Sequence, residues 1–150
     1  MNETLQTKDD GRILLVLGDQ LNLNNAVLAG ADKAKDVVLM AEVQEEASYV
    51  PHSRHKMVLL FSAMRHFRIR LEEQGFTLMY FSLDDGYGTL AEALGAAVEN
   101  TGLKRVVVSK PGEHRVQEHL RSAAAEHNLN MDELADTRFL ISSEEFSDWF

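Results

Sequence analysis

The sequence predicts a doubly wound, Rossmann-like α/β fold: a mostly parallel five-stranded sheet with helices on both faces. Three observations point there. Short runs rich in Val, Ile and Leu recur without polar alternation, as strands buried on both faces do. Amphipathic helical patterns lie between these runs, and strands alternating with helices argue a parallel sheet. Most of the runs stop at a polar or glycine-bearing turn, where such sheets place their ligands.

Residues 1–11 are polar with mixed charges and read as a flexible tail, leaving residues 12–150 as one domain. The first run, Arg12-Ile13-Leu14-Leu15-Val16-Leu17, ends at Gly18-Asp19-Gln20. A second covers residues 36–41, a third 77–82 and a fourth 104–109. A weaker candidate around residues 130–134 precedes Asp136. Between the second and third runs, Met57, Leu60, Phe61, Met64, Phe67 and Leu71 recur three and four apart, an apolar helix face over residues 56–74 that Gly75 ends. Thr89-Leu90-Ala91-Glu92 has the spacing of a capping box and opens a helix to about Glu99. Residues 114–127 form another helix, with Val116, Leu120, Ala123 and Ala124 inward. Ser142-Ser143-Glu144-Glu145 is a second capping box and opens a short helix carrying Phe146 and Trp149. Pro51 and Pro111 each follow a strand-like segment and suit a loop turning toward a helix.

Charge and composition narrow the function. The chain carries 15 Lys+Arg against 24 Asp+Glu, a net charge of −9. Duplex-binding surfaces are usually basic because their affinity comes from neutralised phosphates. Arg65, His66, Arg68 and Arg70 offer a local basic patch, and a solvated helix face is the plainer reading of them. The chain has no Cys, which excludes a disulfide framework, a thiolate metal or iron–sulfur site and a Cys nucleophile within these residues. No apolar run reaches the roughly 18–20 residues of a membrane span, and the N-terminus does not resemble a signal peptide. A cytoplasmic protein without membrane contact is expected. The phosphate-cradling GxxxxGK(S/T) loop, the dinucleotide GxGxxG turn and the GxSxG nucleophile elbow are all absent. His52 and His55 have chelating spacing but no third ligand, so no metal site is expected, and no catalytic residue is assigned.

The informative residues follow the strands. Gly18-Asp19-Gln20 follows the first, Glu42 to His52 the second, Asp84-Asp85-Gly86 the third and Lys110-Pro111-Gly112-Glu113 the fourth. A parallel sheet gathers these turns on one rim. Asp19, Gln20 and Glu46 supply acceptors there, and Tyr49 a flat face with a hydroxyl. Such a rim suits a flat, neutral, hydrogen-bonding heterocycle better than a triphosphate, which needs a positive or N–H-rich cradle.

Several of these segments carry a resemblance. Leu17-Gly18-Asp19-Gln20-Leu21, Glu42-Val43 with Glu46-Ala47-Ser48-Tyr49-Val50, and Phe61-Ser62-Ala63-Met64-Arg65-His66-Phe67 are similar to the deoxyribodipyrimidine photolyase-related family. So are Lys110-Pro111-Gly112-Glu113 with Arg115-Val116, and Arg138-Phe139-Leu140 with Ser142. These are the bacterial iron–sulfur cryptochromes and (6-4) photolyases, and the similarity runs from about Arg12 to Trp149. It implies the N-terminal α/β domain of a larger flavoprotein that repairs DNA or senses blue light. The helical domain, with FAD and a 4Fe–4S cluster, would lie outside this chain and be its main partner. Damaged DNA would be met only by the full-length protein, and this chain alone would lack catalytic activity. The resemblance further implies an antenna chromophore, 6,7-dimethyl-8-ribityllumazine, held by Gly18, Asp19, Ala41, Glu46, Tyr49 and Leu60, with Gln20 as a second partner for the ribityl chain. A stand-alone small-ligand or nucleotide-binding domain, or an interaction domain docking a helical partner, are the alternatives. Exposed C-terminal aromatics would drive weak self-association.

Overall fold

A computed structural model of the chain describes residues 10–48 and 53–149. In chain order its strands are β1 (Ile13–Leu15), β2 (Val37–Ala41), β3 (Thr77–Phe81), β4 (Arg105–Ser109) and β5 (Asn130–Leu134). Its helices are α1 (Ala26–Ala29), α2 (Gln44–Ser48), α3 (Arg54–Glu73), α4 (Leu90–Thr101), α5 (His114–Glu126) and α6 (Ser143–Ser147), with a 3₁₀ turn at Leu83–Asp85. All five strands pair in parallel in the order β3-β2-β1-β4-β5, with Ile13 opposite both Val37 and Val106. The expected fold class is therefore the observed one. The chain steps outward from β1 to β3 on one side, then returns to place β4 on the other flank of β1. This reversal leaves a crevice between the carboxyl ends of β1 and β4.

Side chains along β1 divide between two cores. Ile13, Leu15 and Leu17 pack with Leu94, Ala97 and Leu120, on the face covered by α4 and α5. Leu14 and Val16 pack with Val27, Leu28, Phe61, Met64 and Leu71, on the face covered by α1 and α3. Successive strand residues point to opposite faces, so an unbroken apolar run is what a sheet covered twice requires. Burial of these side chains, each about 1.5–3 kcal/mol, is the main driving force for closing the three layers.

The helix boundaries have local causes. The Ser53 side chain caps α3 by accepting from the Lys56 N–H at 3.3 Å, so the helix starts at Arg54, two residues before the expected start at residue 56. Gly75, at φ +83°, makes the left-handed turn that ends this segment. The Ser142 capping box forms reciprocally: Ser142 N–H donates to Glu145 at 2.8 Å and Glu145 N–H to Ser142 Oγ at 3.1 Å. The Thr89 box forms by half. Thr89 Oγ1 accepts from Glu92 N–H, but the Glu92 carboxylate accepts from Gly88 N–H at 2.7 Å instead of from Thr89. Packing starts at Gly11, which is already buried although the sequence places it in the tail. Phe139, Leu140, Ile141, Phe146 and Trp149 are all exposed. Among the described residues, no helix is long and apolar enough to cross a membrane.

Candidate functional site

Strand β2 delivers two glutamates to the rim, and the structure treats them differently. Glu42 directly follows the strand, and its backbone N–H continues the ladder to Phe81 at 2.8 Å. Its side chain is fully buried. Arg65, from α3, grips the carboxylate through Nε at 2.6 Å and Nη2 at 2.8 Å. Tyr80 Oη donates at 2.6 Å and the Leu83 backbone N–H at 2.9 Å. Burial pushes the Glu42 carboxyl up, but these donors together outweigh it and hold the group below the ordinary carboxylate range. Burial and the same carboxylate push the Tyr80 hydroxyl well up. Arg68 lies over the Tyr80 ring, 5.3 Å from its centroid. Glu42 thus ties β2, β3, α3 and the 3₁₀ turn together; it has no vacant acceptor direction to offer a ligand.

Glu46 sits four residues later, on α2. This short helix docks through backbone bonds from Gln44 N–H to Tyr87 at 3.3 Å and from Glu45 N–H to Gly88 at 2.9 Å. Glu46 Oε2 is buried and meets no hydrogen-bond donor among the described residues. It lies against the turn after β1. A Cβ added at Gly18 would stand 3.8 Å from Glu46 Oε2, 3.2 Å from Leu60 Cδ1 and 3.2 Å from Met64 Sδ. A larger residue there would press on the ends of Leu60 and Met64, the apolar floor beneath the carboxylate. Burial first, then the charges of Asp19, Glu113 and Glu45, push the Glu46 carboxyl up to about 7, with Arg115 opposing them. A partly buried carboxyl that is short of donors and titrates near neutrality marks a candidate binding position.

The structure therefore brings Gly18, Glu46 and Leu60 together, and adds Met64, which the sequence placed only in the helix core. Asp19 adjoins them on the exposed side. Its backbone carbonyl accepts from Arg138, and its carboxylate lies 3.7 Å from Arg138 Nη2 and beside Gly112. Two expectations need correction. Gln20 is buried, and its amide donates to the Ser109 carbonyl at 3.1 Å while Oε1 faces Leu17 N–H at 3.5 Å. It stitches β1 to β4 from a buried position. Ala41 is 3% exposed and packs in the core under α4 and α5, away from the Glu46–Gly18 contact. Tyr49 lies outside the described residues, as does His52.

Arg115 was visible only as part of a motif. Its guanidinium bonds Glu45 of α2 and, at 3.2 Å, Glu113 at the start of α5. The suspected basic patch disperses: Arg65 is committed to Glu42, and Arg68 pairs with Glu72 at 3.6 Å. An open hollow of about 420 Å³ runs along the outer face of α3 between Val58, Phe61, Ser62, Arg65, His66 and Ile69. Its polar lining residues, Ser62, Arg65 and His66, are all exposed, and Arg65 is already held by Glu42. The described residues contain no cluster of three or more metal-ligating side chains.

Comparison with known proteins places these features in a family. The family model for deoxyribodipyrimidine photo-lyase-related proteins matches residues 14–150. A (6-4) photolyase from Agrobacterium fabrum is 37% identical over 140 residues, a match covering 92% of this chain and 28% of that protein. The chain thus spans little more than a quarter of that relative's length.

Proposed function

Since this chain belongs to the deoxyribodipyrimidine photolyase-related family, we propose that it is the antenna-binding α/β part of a light-driven flavoprotein, and that it holds 6,7-dimethyl-8-ribityllumazine against Glu46. The observation that carries this reading is the buried Glu46 Oε2 without a donor, beside the Gly18 turn and the apolar side chains of Leu60 and Met64. The residues fit the group. A lumazine ring needs an apolar floor, and its imide N–H needs an acceptor once water is removed. Glu46 would accept that N–H, Leu60 and Met64 would lie under the ring, and Asp19 stands at the exposed margin for ribityl hydroxyls. When bound, the group supplies absorption of blue light and transfer of excitation to a flavin. FAD and a 4Fe–4S cluster belong, on this reading, to the portion of the protein that corresponds to the rest of the relative. This chain has no Cys to ligate a cluster. Repair of a DNA lesion, or light signalling, is then a property of the whole protein.

Titration of the lumazine with the chain, followed by ligand fluorescence, tests the proposal. One saturable site is expected, with riboflavin and ATP competing poorly. Equal competition by ATP would favour a nucleotide-binding domain, and no saturable binding of any of the three would favour a domain used only for docking.

A further inference from the structure

The rim around Glu46 is crowded with like charge. Asp19 reaches it from the turn after β1, Glu45 from α2 itself and Glu113 from the start of α5. From α3 the facing side chains are Leu60 and Met64, which carry no charge. The cations are Arg115, on α5, and Arg138, which pairs with Asp136 and Asp19. His119 Nδ1, one turn beyond Arg115, stands 3.4 Å from Glu45 Oε1. Arg115 is the residue that joins these parts: it is largely buried, and it bridges Glu45 on one side and Glu113 on the other. Helix α2 has no buried residue of its own, so apolar packing does little to hold it in place.

Resting on the reading that Glu46 anchors the ligand, we propose that Arg115 is the positioning residue of this site: by bridging Glu45 and Glu113 it docks α2 on α5 and sets both the place of Glu46 and the negative charge around it. The planar guanidinium suits this work because it meets two carboxylates at once with fixed geometry, which a lysine ammonium cannot do equally well. Removing the cation leaves Glu45 and Glu113 unneutralised beside Glu46, so the carboxyl will hold its proton to higher pH. Removing Glu45 takes away one of the repelling charges and acts in the opposite sense.

The test follows the Glu46 carboxyl itself by ¹³C NMR in the ligand-free chain, with Glu46→Gln identifying the signal. Arg115→Gln is expected to raise the Glu46 midpoint by about one pH unit, Arg115→Lys to recover most of that shift, and Glu45→Gln to lower the midpoint. A purely structural Arg115 would lower the melting temperature of the Gln variant and leave the Glu46 midpoint in place, which overturns the proposal. If Arg115→Gln does not fold, Glu45→Gln decides: a lowered midpoint supports the network and an unchanged one overturns it. The readout needs no ligand. Failure of the parent chain to bind lumazine would sink the antenna reading and leave the Arg115 result standing. Lumazine binding with unmoved midpoints would do the reverse.

Discussion

Glu42 and Glu46 stand one helical turn apart in sequence and belong to two different regions of the molecule. Around Glu42, α3, β3 and the 3₁₀ turn each contribute a donor, and the carboxyl is held ionised in a fully buried place. Around Glu46 acids and apolar side chains outweigh the nearby Arg115, one oxygen has no donor, and the carboxyl rises to about 7. Burial is common to both. The difference is the count of donors, which separates a group that builds the fold from one that has acceptor capacity left for something else.

The largest expected effect breaks the Glu42 side of this comparison. Glu42→Ala leaves the Tyr80 hydroxyl and the Leu83 N–H without their acceptor, and should cost about 2–4 kcal/mol in urea denaturation. A loss under 1 kcal/mol would mean that water replaces the carboxylate easily and that Glu42 is no clamp.

Next is the pH dependence of stability, where the two residues have opposite signs. The Glu42 carboxyl is lowered on folding, so its contribution is present above the unfolded carboxylate value and is lost as pH falls through the folded one. The Glu46 carboxyl is raised on folding. The folded state therefore holds its proton better, and stability is lost as pH rises from the unfolded value, about 4.3, through about 7. Glu46→Gln removes that loss. The variant should be more stable than the parent by about 1–3 kcal/mol at pH 8, with the gap closing toward pH 4. Thermal melts at the two pH values measure it, and a variant less stable at pH 8 would reverse the assignment.

Gly18→Ala sharpens the comparison further. Its methyl would press on Leu60 and Met64, both of which have flexible ends, so the stability cost should stay near 1 kcal/mol. Lumazine affinity should fall at least about tenfold as the floor is filled, by the measure of 1.4 kcal/mol per tenfold. Unchanged affinity would place the ring elsewhere on the rim.

The smallest effect concerns the exposed end of the chain. Trp149 should emit at the wavelength of a solvated indole, and the chain should associate weakly in sedimentation through Phe139, Leu140, Phe146 and Trp149. A blue-shifted Trp149 in a strict monomer would show that these residues are covered within the chain.

The fold was legible because every strand except β5 is an apolar run and each long helix has a periodic face. Strand β5, Asn130–Leu134, coincides with the weaker candidate ahead of Asp136. Helices α1 and α2 were not legible. At four and five residues they are too short to show a period, and no residue of α2 is fully buried. The site was legible in outline, since the rim of a parallel sheet follows from the strand order. What sequence could not assign was which polar residues have their hydrogen bonds already satisfied. Gln20 reads as a ligand contact until Ser109, 89 residues away, is seen to accept its amide proton. Glu42 was not singled out in the sequence, because its partners Arg65 and Tyr80 lie 23 and 38 residues away. Met64 was assigned to the core from periodicity, and its contact with Gly18 depends on how α3 lies across β1.

Lumazine titration of the parent chain, Glu46→Gln and Glu46→Ala tests the central claim most directly. A carboxylate accepting the imide N–H makes a charge-assisted bond, and losing it leaves that N–H unpaired at a cost of about 1–3 kcal/mol. Glu46→Ala should weaken binding by about one to two powers of ten and Glu46→Gln less, and parent affinity should rise about tenfold between pH 6 and pH 8 as the carboxylate forms. Equal affinity in all three proteins, with no dependence on pH, would contradict that claim and remove Glu46 from the site.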